Sequence, residues 1–155
     1  MRIFKEILLV LLIVFIAIQF IQPARNTNGR VLPTDISNTV YVPENVQQIL
    51  KTSCYDCHSN NTNYPWYNYM QPAAWILANH IKHGKKDLNF SDFGSYSMRK
   101  QQSKLKAIAD QIKDGEMPLS SYTLIHRNAR LSKEQKKLII DWTQNARDSL
   151  DKINP

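Results

Sequence analysis

The chain opens with an unbroken apolar run and never repeats it. From Ile7 to Ile21 (ILLVLLIVFIAIQFI) the only strongly polar residue is Gln19, and Arg2 and Lys5 stand ahead of it. Further on, apolar residues recur at helical spacing. Behind Pro43, Val46, Ile49 and Leu50 fall at i, i+3 and i+4, in a phase that leads into Cys54. A second helix is predicted from Gln71-Pro72 through His83, with Pro72 suited to the first turn and Gly84 to the stop. A third runs from near Ser97 to Asp114, with Leu105, Ile108, Ala109 and Ile112 along one side and Gly115 at its end. The fourth begins at a capping box, Ser132 with Gln135. Leu138, Ile139, Trp142, Ala146 and Leu150 mark its buried stripe. No segment alternates as a strand does. The expected fold class is all-α: a compact helical domain behind an N-terminal transmembrane or signal-anchor helix, with long loops at 59–70, 85–96 and 115–131.

These patterns divide the chain into three parts: 1–24, a membrane anchor or signal segment; 25–39, a linker rich in Asn, Thr, Arg and Pro; and 40–150, one domain. A cleaved signal would need a small-residue cleavage site, and Gln22-Pro23-Ala24-Arg25 matches poorly. A lipoprotein would need a cysteine just after the run, yet the first is Cys54. A retained anchor is short against the ~20 residues usually needed to span a bilayer. Ile3 and Phe4 extend it if Lys5 and Glu6 snorkel to the interface. The uncleaved anchor is the favoured expectation, with cleavage left open and a buried core helix last. Arg25 and Arg30 balance Arg2 and Lys5, so the flanking charges do not set an orientation.

The net charge is +7. A basic domain suits nucleic acid, anionic lipid or an acidic protein partner. Behind an export segment, and with no basic cluster interleaved with aromatics, nucleic acid is not expected. Lys82, Lys85 and Lys86 read as a solvated face before a docking patch. No Ser-His-Asp arrangement and no pair of acid/base carboxylates stands out, so the chain is not expected to be an enzyme.

Both cysteines lie in Cys54-Tyr55-Asp56-Cys57-His58. A disulfide between residues so close would shut almost no loop and stabilise little. The spacing C-x-x-C-H is that of a c-type haem attachment site: two thiols for the two vinyl groups on one porphyrin edge, and the next residue an imidazole to take the iron. One covalent haem c, its iron on His58, is therefore expected. A thioredoxin-like pair would call for a βαβ setting, and none is read here. A zinc site built from Cys54, Cys57, His80 and His83 would have a His spacing of two intervening residues, short of the usual three to five.

The other side of the iron has several candidates: Met70, Met98, Met117, His80, His83 and His126. Met117 in Gly115-Glu116-Met117-Pro118-Leu119 lies in a loop, where a thioether can point inward from outside any helix. The competing role for a methionine is core filler. His80 and His126 compete as ligands or as propionate contacts. Tyr64-Pro65-Trp66-Tyr67 and Trp75 are concentrated after the haem motif, and Tyr64 and Trp66 are read as a cofactor-facing wall, since such rings join large apolar area to a polar tip.

At these residues the chain resembles a known family, the bacterial single-haem "haem-binding domain" group, itself similar to class I cytochromes c. The matching stretches are Cys54–Asn60, Thr62 and Tyr64–Tyr67. Gln71-Pro72-Ala73 with Trp75, His80, Gly84 and Leu88–Ser91 follow. Gly115–Leu119 with Tyr122, His126, Leu131-Ser132 and Trp142 complete them, so that about residues 40–145 are covered. The resemblance implies a cytochrome c-like fold with His58 proximal and Met117 the distal ligand. The resulting expectation is a single-electron carrier anchored to the inner membrane, its domain in the periplasm, with a redox partner protein left unidentified. The alternative is a haem-based sensor with a labile Met117.

Overall fold

The computed structural model describes residues 1–153. It is all-helical and has no strands among the described residues, as the periodicity requires. The helices are α1 (Arg2–Ile18), α2 (Ile36–Thr39), α3 (Glu44–Ser53), α4 (Tyr55–His58), α5 (Ala73–Asp87), α6 (Met98–Asp114), α7 (Ser120–Ile125) and α8 (Lys133–Ile153). Short 3-10 turns cover Trp66–Tyr69, Phe90–Ser95 and Arg127–Ala129.

The frame is α6 against α8, with α3 packed on α8. Apart from Leu138, which α8 leaves exposed, the predicted stripes are what they bury: Leu105 and Ile112 from α6, Ile139, Trp142 and Leu150 from α8, Val46 and Leu50 from α3. Ile36, Phe90 and Phe93 complete the core. Full burial of a Leu or Phe side chain is worth about 1.5–3 kcal/mol. The Trp142 indole donates to the Tyr41 carbonyl at 2.9 Å, so its one polar atom is satisfied. The α8 capping box forms as read: Ser132 Oγ accepts from the Gln135 amide, and Gln135 Oε1 accepts from the Ser132 amide. Gly115 ends α6 in the left-handed region at φ 80°, while the amides of Glu116 and Met117 both return to the Gln111 carbonyl.

Two expectations need correction. Gly84 does not stop α5, which continues to Asp87. The glycine is there for proximity, because a Cβ on it would lie 2.8 Å from the Cys57 carbonyl oxygen. The stretch 25–39 is not a free spacer either. Asn26 Nδ2 donates to the Ser59 carbonyl and Thr62 Oγ1, Thr27 bridges Asn61, and Ile36 is fully buried. At the N-terminus a helix does form, but α1 has 17 residues, none of them buried. No helix among the described residues is long and apolar enough to cross a membrane.

Candidate functional site

Cys54 breaks the chain between α3 and α4. Its amide still closes the last turn of α3 on Leu50, while its own φ of −130° leaves helical geometry. Its carbonyl then accepts from the amides of Cys57 and His58, starting the single turn of α4. One turn of helix thus turns Cys54, Cys57 and His58 toward a common cavity. The close passage of α5 over Cys57, allowed by Gly84, forms one side of it.

The cavity has a volume of about 510 Å³, within the roughly 300–1,000 Å³ of small-molecule and cofactor sites. Cys54, Cys57 and His58 lie along it. Leu88, Ile108 and Ile112 give it an apolar lining, and Met117 comes in from the loop after α6. Two distant parts of the sequence, 54–58 and 117–122, therefore meet around one space.

His58 is held from behind. Its Nδ1 lies 3.0 Å from the Leu88 carbonyl. That contact calls for the tautomer with the proton on Nδ1, which leaves Nε2 as a free lone pair, as is usual for a metal-bound imidazole whose other nitrogen donates to a carbonyl. The Phe90 ring meets the imidazole edge-on at 6.1 Å and stacks on Tyr55 at 5.0 Å.

Burial pushes the Cys54 thiol up to about 12, with Cys57 adding to it. Cys57 rises to about 11, through burial first and the Asp56 carboxylate second. A redox-active pair needs a reactive thiolate, usually through a lowered value, and the burial of these thiols works against it. Among the described residues no group of three or more His, Cys, Asp or Glu is placed to hold a metal ion by itself. Two protonated thiols, one lone-pair imidazole and one thioether around an apolar space instead fit an iron porphyrin.

Of the other candidates for the second axial position, His80 and His83 line the cavity from α5. Met70 is half-exposed, and Met98 packs on the hydrophobic core. His126 is engaged elsewhere: its Nε2 lies 2.8 Å from the Tyr67 hydroxyl, and its ring stacks on Tyr122 at 4.3 Å. Tyr122 in turn donates to Asp56 Oδ2. Burial and the neighbouring carboxylate raise both phenols, so they remain proton donors.

The structure does not bring Tyr64 and Trp66 to the cavity. Trp66 is 73% exposed, and the Tyr64 hydroxyl accepts from the Asn26 amide. Trp66 opens a 3-10 turn, and Tyr64 lies ahead of that turn, half-buried beside Arg25. Sequence reasoning missed the Leu88 carbonyl and the Asp56–Tyr122 bond. Only the four-residue spacing of Tyr122 and His126 hinted at a paired arrangement there.

The model of a family described as Haem-binding domain matches residues 13–145. No curated protein and no solved structure matches the chain.

Proposed function

The chain belongs to the haem-binding domain family, and from that premise we propose that it is a membrane-tethered mono-haem c-type cytochrome that passes single electrons to a protein partner outside the cytoplasm. The observation that carries this reading is the shared cavity, where both cysteines, the free face of His58 and Met117 converge.

When bound, the haem supplies a one-electron ferric/ferrous couple, and the protein supplies attachment, burial and tuning. Cys54 and Cys57 would hold the haem as thioethers, each S–H adding across a vinyl double bond so that no oxidant would be needed. The raised thiol values suit sulfurs that end as neutral thioethers. His58 would hold the iron through Nε2, while the Leu88 carbonyl fixes the ring and increases its basicity. Met117, which lines the same cavity, would be the second protein ligand to the iron. Methionine there raises the potential relative to a second histidine, and the apolar lining from Leu88, Ile108 and Ile112 keeps water away. The tether is α1, with the domain on the periplasmic side.

The test is a pyridine haemochrome and a reduced-minus-oxidised spectrum on protein made with cytochrome c maturation, beside Met117→Ala. A c-type haemochrome with the weak ferric band of methionine–iron coordination, lost in the variant, is the expected result. Haem with no such band would favour a ligand-binding protein with an open sixth position. Haem extractable into acid acetone would overturn covalent attachment.

A further inference from the structure

The C-terminal end of α1 is fastened to the domain at one place. Gln19 Oε1 accepts from the Gln71 amide at 2.9 Å. Gln71 Nε2 donates to the Ile21 carbonyl at 2.8 Å, and the Trp75 indole donates to the same oxygen at 3.0 Å. Gln71 is buried, so this is a fixed joint rather than a hinge.

Around that joint the domain shows its least water-adapted surface. Phe20, Ile21, Trp66, Tyr69, Met70, Trp75 and Ile76 are all exposed, Trp66 by 73% and Ile76 by 54%. Trp66 and Tyr69 stand three apart in a 3-10 turn, where such side chains eclipse and share a side. The charge pattern agrees. From Cys57 to Ile81 there is no Asp, Glu, Lys or Arg, in a chain whose charged residues make up 21%. The nearby cation is Arg25, its guanidinium 4.9 Å from the centre of the Tyr69 ring and 5.6 Å from that of Tyr64.

A surface aimed at water or at an acidic protein would not lack charge over such a length. Trp and Tyr are the residues of the bilayer interface, where amphipathic rings sit at headgroup level, and an arginine beside them suits lipid phosphate. The length of α1 points the same way. Its 17 residues span about 25 Å at 1.5 Å per residue, against a hydrocarbon core of ~30 Å. A short apolar helix draws its flanking residues into the interface, and here those residues are bonded to this face.

We propose that the face built from Trp66, Tyr69, Met70, Trp75 and Ile76 lies in the lipid interface beside α1, seating the domain on the bilayer in one orientation. The proposal rests on the reading of α1 as the tether. Its occupant is the headgroup and upper acyl region of the same membrane. That face thereby acts as a foot, and the cavity faces are left to the partner.

The test uses the haem-loaded full chain in vesicles of phosphatidylcholine with phosphatidylglycerol. Trp66→Cys, Ile76→Cys, Val10→Cys and Lys137→Cys each carry a nitroxide, and collisions with oxygen, which partitions into lipid, are compared with those of a water-soluble nickel chelate. All four positions are exposed, so the substitutions disturb no packing. The expected result is an oxygen-to-nickel ratio at 66 and 76 several-fold above that at 137, with 10 higher still. If 10 reports lipid while 66 and 76 match 137, the foot is overturned and the tether stands. If 10 also reports water, the tether fails and the foot with it. Few collisions with either reagent at 66 and 76 would mean that protein covers the face, and would also overturn the proposal.

Discussion

The Tyr122 hydroxyl donates to Asp56 Oδ2 at 2.7 Å, joining the segment that carries Met117 to the middle of the Cys54–His58 turn. The bond spans 66 residues and links the two sides of the cavity. Met117 sits five residues before Tyr122, between this anchor and the two amides returned to Gln111. Tyr122→Phe should free that segment. A hydrogen bond to a charged group is worth roughly 1.5–3 kcal/mol, and this half-exposed one should fall at or below the lower end. Urea denaturation should read that loss. Carbon monoxide should bind the ferrous variant several-fold faster than the parent. An unchanged rate would mean that Tyr122 has no part in holding Met117 in place.

Gly84→Ala tests the close passage of α5. In an exposed helix interior the change would stabilise by about 1 kcal/mol. Here the new methyl would meet the Cys57 carbonyl at 2.8 Å, and neither backbone can yield cheaply. Overpacking of this kind costs about 1–3 kcal/mol. A lower denaturation midpoint and a reduced yield of haem-loaded protein are expected. A more stable variant would show that the helix moves aside at no cost.

Thiol reactivity in the haem-free chain follows from burial. With Cys57 at about 11 instead of 9.0, the thiolate fraction near neutral pH is about a hundredfold lower. Iodoacetamide should therefore modify the folded protein far more slowly than the urea-unfolded one. Because the folded state holds these protons more tightly than the unfolded one, haem-free stability should be unaffected below pH 9. It should then fall as pH rises from about 9 toward 11 and 12. Rapid alkylation of the folded chain at pH 8 would reopen dithiol chemistry.

Leu105→Ala separates stability from the site. Leu105 is fully buried in the core and is not part of the cavity lining. A loss of about 2–5 kcal/mol is expected, with the haem spectrum of the folded fraction unchanged. A shifted spectrum would show that the core and the cavity are mechanically coupled.

The long helices were legible because their signals are local. In α8 the capping box and the stripe from Ile139 to Leu150 both reside in one stretch of sequence, and the structure uses them as written. Gly84 was misjudged because the reason for a glycine there sits 27 residues away, on the Cys57 backbone. Residues 26–30 looked like a spacer because they bury no apolar stripe. Polar bonds hold them instead, from Asn26 to Ser59 and Thr62, and from the amides of Asn28 and Gly29 to Asn61. Tyr64 and Trp66 are near the motif in sequence, but Trp66 stands exposed at the start of a 3-10 turn and Tyr64 is bound to the Asn26 amide. The motif did mark one face of the cavity. That Met117 reaches the same space, whereas Met70 and Met98 do not line it, depends on how α6 packs, which no local pattern encodes.

The partner of His58 Nδ1 is a main-chain carbonyl, and this has a consequence for how the protein can change over time. Had a carboxylate or amide side chain oriented the imidazole, one nucleotide change could have removed it. Leu88 can be exchanged for another apolar residue, with some repacking, and the oxygen remains in place. The alignment of the imidazole is thus insulated from most point substitutions, while the surroundings of the cavity stay free to drift.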